Sequence, residues 1–135
     1  MNLSLPKWAK ILLVAVFFAG SIIGFLVKLP SGFRHIDKEL HAAFYFAAAA
    51  FLNLLFAKKN ILVHLLLFGI LFLFGICIEY AQEYSNTFFH VRIHGRFDIE
   101  DVQANLKGLV AFSILWLIYW LIGLFIQSSP TRNDG

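Results

Sequence analysis

A chain of 135 residues that is 60% hydrophobic and only 14% charged carries more apolar surface than a soluble domain of that size can bury. Its formal charge of +3 is dispersed over connecting segments, with no basic stripe of interleaved aromatics, which excludes a nucleic-acid-binding surface. The single cysteine, Cys77, lies inside an apolar run and excludes an intramolecular disulfide framework.

Four apolar segments are long enough to cross about 30 Å of hydrocarbon at about 1.5 Å per residue. They lie near 9–29, 40–57, 61–84 and 104–126. The predicted fold is all-α: one domain over 1–135, an antiparallel bundle of four transmembrane helices, with a longer polar and basic loop between the third and fourth. The first segment follows Lys7 and Lys10 and contains Ala19-Gly20-Ser21, which imitates a signal-peptidase site. Because its apolar run continues to Leu29, an uncleaved signal anchor is the better reading. Gly20 and Gly24 form a GxxxG pair, read first as a seam against the other helices and alternatively as a contact with a second copy. Pro30, Ser31 and Gly32 end the helix.

In the second segment Asp37 is placed to cap the helix start, and His41 and Tyr45 follow it along one stripe. Alanines 42, 43 and 47–50 give this helix small side chains on nearly every face, which suits a central position. Lys58, Lys59 and Asn60 form a tight turn into the third segment, where His64 reads as an interfacial residue. That segment ends with Glu79, Gln82 and Glu83, where the helix dipole disfavours acids and a cation is required; Arg96 is the expected partner of Glu79. Between them, His90, Arg92, His94 and Arg96 alternate with Val91 and Ile93, which predicts an extended or re-entrant stretch. It is either an interfacial loop touching headgroups or an anion-binding wall over the acids.

The fourth segment opens with Asp98, Asp101, Asn105 and Gly108 on one helical face, the acids standing where a helix N-terminus welcomes them. Lys107 can snorkel to headgroup level, Trp120 suits an interfacial belt, and Trp116 is assigned only packing. Four spans put both termini with Lys58 and Lys59 on one side and the polar residues on the other. Acids accompany the basic residues of the second side, so the termini are read as cytoplasmic and the polar cluster as extracytoplasmic, in a bacterial cytoplasmic membrane.

Nearly the whole chain resembles the VanZ-like family of small bacterial membrane proteins. The likeness is carried by Asp37, Lys38, His41 and Tyr45 entering one helix, by Glu79 and Gln82 ending the next, and by Arg96, Asp98, Asp101, Asn105 and Gly108. Two departures are the longer loop between Gln82 and Arg96 and Phe112 where a small residue is expected after Gly108. The resemblance implies a role at the cell envelope, of the kind associated with glycopeptide resistance.

Two functions compete. In one, Asp37, Lys38, Tyr45, Gln82, Arg92, Arg96, Asp101 and Asn105 bind an anionic lipid or lipid-linked cell-wall precursor headgroup, with Glu79, Asp98 and His41 available for proton transfer. In the other, an accessory membrane protein uses the same residues only to lock helix ends together. His90 and His94 with Asp98 and Asp101 offer metal-ligand atoms, but without a His-Glu-x-x-His pattern or a cysteine set no metal and no other cofactor is expected. The expected partner is membrane lipid, with a further copy of the chain as the alternative reading of Gly20 and Gly24.

Overall fold

The structure, a computed structural model, describes residues 4–26, 35–89 and 98–128. These residues form four long helices: α1 (Lys7–Leu26), α2 (Asp37–Leu52), α3 (Ile61–Phe89) and α4 (Ile99–Ser128). A five-residue π turn, Asn53–Ala57, continues α2, and no strand occurs among the described residues. All four, counting α2 with its π turn, are long and apolar enough to cross a membrane. Large apolar side chains such as Trp8, Ile23, Leu62 and Phe125 stand exposed on their outer faces, an arrangement that suits hydrocarbon and not water. This is consistent with a multi-pass membrane protein. The helices differ in reach: at about 1.5 Å per residue, the 20 residues of α1 span about 30 Å, and the 29 and 30 of α3 and α4 about 44–45 Å.

Two helices exceed their expected bounds by about five residues at one end. α3 continues past 84 to Phe89, since Ser85, Asn86 and Thr87 are weak helix formers but not breakers and Ser85 Oγ donates back to the Gln82 carbonyl at 2.7 Å. α4 begins at Ile99, where Asp98 Oδ1 accepts the Glu100 amide at 2.8 Å and so caps the helix. Asp37 makes no such bond: Ile36 holds the cap position of α2 and no side chain caps it. Asp37 is therefore not the cap the sequence suggested.

α2 is the most buried span, with 44% of it enclosed, and its most extensive contact is with α4. Gly108 makes that contact possible. A Cβ there would overlap the Ala42 carbonyl oxygen and stand 3.1 Å from the Phe46 amide, so only glycine lets the two backbones meet. Phe112, one turn on, is accommodated edge-to-face against Phe46 at 5.7 Å, so its bulk does not keep the helices apart.

α1 docks differently. Val14, Phe17, Phe18 and Phe25 form its inward stripe around buried Ser21, and Phe17 lies parallel to Phe44 at 5.7 Å while Phe18 meets Phe74 edge-on at 5.0 Å. Gly20 and Gly24 face away, and a Cβ on either would meet nothing within 4 Å. The intramolecular seam expected of them is replaced by aromatic rings, which hold α1 off at ring distance.

The π turn has a local cause. Both the Asn53 backbone amide and its Nδ2, at 2.7 Å, reach the Ala49 carbonyl, and the helix widens behind this doubled bond. The chain then turns through Ala57–Asn60, closed by the Asn60 amide on the Ala57 carbonyl at 2.7 Å. Lys58 adopts φ 49° there, a region that favours glycine. Asn60 Oδ1 accepts the Leu62 amide at 3.0 Å and caps α3.

Candidate polar site where α2, α3 and α4 meet

The site grows from residues one helical turn apart on facing helices. Along α2, His41 and Tyr45 are buried at 5% and 0% exposure; along α4, Asp101 and Asn105 are buried at 8% and 1%. The close α2–α4 approach brings them together, and His41 Nδ1 donates to Asn105 Oδ1 at 2.9 Å. That bond leaves the other ring nitrogen, Nε2, facing two carboxylates, Asp37 Oδ1 at 3.8 Å and Asp101 Oδ2 at 3.9 Å.

At the rim, half-exposed Lys38 joins three acids of the α4 start, Glu100 at 2.9 Å and Asp98 and Asp101 each at 3.5 Å. Exposed pairs of this kind contribute little to stability, but together they fix the head of α4 against α2.

α3 contributes Glu79, only 2% exposed, with Gly75 one turn before it. A Cβ on Gly75 would stand 2.7 Å from Asn105 Nδ2 and 3.1 Å from Tyr45 Oη, so glycine there leaves room for both polar groups. The Glu79 carboxylate lies within electrostatic reach of Asp101, His41 and Asp98. Because α3 runs ten residues beyond it, Glu79 is not at a helix terminus and the dipole acts only weakly there. Its need of a partner comes from burial instead. Arg96, the partner expected from the sequence, lies outside the described residues, as do His90, Arg92 and His94.

Three enclosed oxygens have no hydrogen-bond partner among the described residues: Tyr45 Oη, Glu79 Oε1 and Asp101 Oδ1. Gln82 does not join them. Its Nε2 donates to the Phe25 carbonyl at 2.7 Å and ties α3 to the end of α1. On the outer side of the cluster, a recess of about 250 Å³ opens between α2 and α4, lined by Lys38, Ala42, Glu100, Gln103, Ala104 and Lys107.

A second polar node went unread in the sequence. His64 is buried at 4% exposure, with Nδ1 on Asn53 Oδ1 at 2.7 Å and Nε2 on Ser113 Oγ at 3.0 Å. Trp116 lies flat against its ring at 4.3 Å, which gives that tryptophan its role. His64 is thus a buried bridge between α3, α4 and the π turn, and not an interfacial side chain. The available signal was the placement of Asn53 and Ser113 within apolar runs, where each must find a partner.

Comparison of the chain with protein-family profiles, with curated proteins and with solved structures returns no match. The chemistry of the polar site itself is what bears on function. It offers an imidazole, several carboxylates, a phenol and an amide in a largely buried setting, flanked by an accessible recess with two lysines. The trio Asp37, His41 and Asp101 can each bring one ligand atom within 4.8 Å of the others.

Proposed function

We propose that the chain is a VanZ-like protein of the bacterial cytoplasmic membrane, an antiparallel four-helix bundle whose polar site binds the anionic headgroup of a lipid or lipid-linked cell-wall precursor. In this reading the termini are cytoplasmic, the site faces the envelope, and a glycopeptide-resistance-type role follows from the resemblance. The observation that carries it is the recess between Lys38 and Lys107, which stands at the edge of the buried cluster and is also lined by Ala42 and Ala104. Lys107 has no ion-pair partner among the described residues and is exposed, so it is available to a phosphate. The sequence carries two further basic residues, Arg92 and Arg96, between α3 and α4. Proton transfer by Glu79, Asp98 or His41 requires a substrate group within about 3 Å of the acting atom.

The accessory reading is favoured by a different observation: His41–Asn105 and Gln82–Phe25 each join two helices, as locks do. Short-chain phosphatidylglycerol and phosphatidylcholine, titrated against the purified protein in neutral detergent, separate the two. Headgroup binding predicts preference for phosphatidylglycerol and a loss of about fivefold for Lys107→Ala, from about 1 kcal/mol per lysine near anionic lipid. Lys10→Ala, remote from the recess in this topology, should leave it unchanged. Absence of the preference, or equal losses in both variants, would leave only the lock.

A further inference from the structure

We infer that Asp37, His41 and Asp101 form a binding site for a divalent transition-metal ion. This goes beyond headgroup binding and does not rest on it. His41 is held as metal-ligating histidines are held: Nδ1 donates to Asn105 Oδ1 at 2.9 Å, which fixes the tautomer and directs the Nε2 lone pair away from that bond. What Nε2 faces is two carboxylate oxygens, at 3.8 and 3.9 Å. Those separations are too long for hydrogen bonds. They are close to the spacing of ligands sharing one ion, since two ligands each about 2.1 Å from a metal stand about 3.4 Å apart at the tetrahedral angle. A contraction of a few tenths of an ångström brings Nε2 and each oxygen to that spacing, and the three atoms already lie within 4.8 Å of one another.

The surroundings independently favour a cation. Asp101 is 8% exposed, and its Oδ1 is fully enclosed with no hydrogen-bond partner among the described residues; the nearest amine, Lys38 Nζ, stands 3.5 Å away and is shared with Asp98 and Glu100. Glu79 Oε1 is equally enclosed and unpartnered there, in electrostatic reach of Asp101 and His41. Carboxylates buried in this way call for a concentrated positive charge. One imidazole and two carboxylates select an ion of the zinc or manganese class over calcium or magnesium, which prefer oxygen alone. Asn105 serves as a positioning residue that acts through His41.

The test uses the full-length protein in mild detergent, stripped with chelator and dialysed against Zn²⁺ or Mn²⁺ alone, with bound metal counted by elemental analysis. The expected result is one equivalent per chain in the parent and in His64→Gln, whose ring belongs to the other polar node. His41→Gln and Asp101→Asn should lose it. Asn105→Ala should weaken binding by about 10–100-fold with the stoichiometry retained, the usual effect of removing a partner that orients a ligand. Circular dichroism and gel filtration check that each variant is folded. Electron spin-echo spectra of the Mn²⁺-loaded parent add a readout independent of any variant, in which nitrogen modulation from an imidazole is expected. No stoichiometric metal in the parent, no nitrogen modulation, or full binding by folded His41→Gln and Asp101→Asn would overturn the site.

Discussion

The closest backbone approach yields the sharpest mutational expectation, at Gly108. Alanine there places a methyl group onto the Ala42 carbonyl, with that carbonyl's carbon only 3.0 Å away. The atoms it meets are backbone, so no rotamer change relieves the overlap and the helices must part. Overpacking of this kind costs about 1–3 kcal/mol, and the upper end applies where nothing yields. Parting α2 from α4 also stretches the 2.9 Å His41–Asn105 bond beyond useful length, about 1 kcal/mol more. Alanine's better helix propensity returns about 1 kcal/mol, leaving a net loss of about 3 kcal/mol. Gly24→Ala is the internal control, since a methyl there meets nothing within 4 Å and only the propensity gain remains. Thermal unfolding in one detergent should therefore lower the midpoint for Gly108→Ala and raise it slightly for Gly24→Ala. If Gly108→Ala melts with or above the parent, α2 and α4 do not meet as described.

Lys58→Gly should raise the melting midpoint by the equivalent of about 1–2 kcal/mol, because it relieves a left-handed φ of 49° in the Ala57–Asn60 turn; an unchanged or lower midpoint would count against that strain. His64→Leu should lower stability by about 2–4 kcal/mol, since it leaves Asn53 Oδ1 and Ser113 Oγ without the ring nitrogens they face; in tryptophan fluorescence the Trp116 environment should change as well. A spectrum and midpoint equal to the parent's would show that the node carries no load. The proposed topology predicts that cysteine at His35 or Thr87, in a Cys77→Ala background, reacts with an impermeant reagent on intact spheroplasts while cysteine at Asn60 does not. The opposite pattern would invert the orientation.

Sequence reasoning reached different depths in different places. The four apolar helices were legible because length and composition alone set them. The α2–α4 half of the site was legible too, since Asp37/His41/Tyr45 and Asp101/Asn105/Gly108 fall on helical stripes that survive small errors in the helix ends. The end of α3 was not: Ser85, Asn86 and Thr87 look like a terminus, yet they are weak helix formers and not breakers, and Ser85 Oγ bonds back to the Gln82 carbonyl within the helix. That misplacement made Glu79 a helix-end problem when it is one of burial. His64 reads as interfacial from its place near a helix start, while a neutral amide and a hydroxyl within the apolar runs satisfy both ring nitrogens. Gly20 and Gly24 show that a small-residue motif does not say which side it faces, which the neighbouring phenylalanines decided.

The unequal reach of the helices has a mechanical consequence for the lipid around them. A flat hydrocarbon layer of about 30 Å matches α1 at about 30 Å, yet a helix of about 44 Å would have to lean by nearly 50° to fit within it, past the usual range of tilts. Leaning alone therefore does not reconcile α3 and α4 with their shorter neighbours. Some of their length must stand clear of the layer, or the layer must change thickness around the protein, at fractions of a kcal/mol per ångström. In either case the surrounding leaflet meets a stepped wall, high along α3 and α4 and low along α1 and α2. Lys38 in the first turn of α2 pairs with Asp98 and Glu100 at the start of α4, so these two helices begin level and the extra length of α4 lies at its far end, past Gly123, where a Cβ would stand 3.7 Å from Lys59 Nζ. Lipids that meet such a wall sit at a depth set by the protein and not by the bilayer alone.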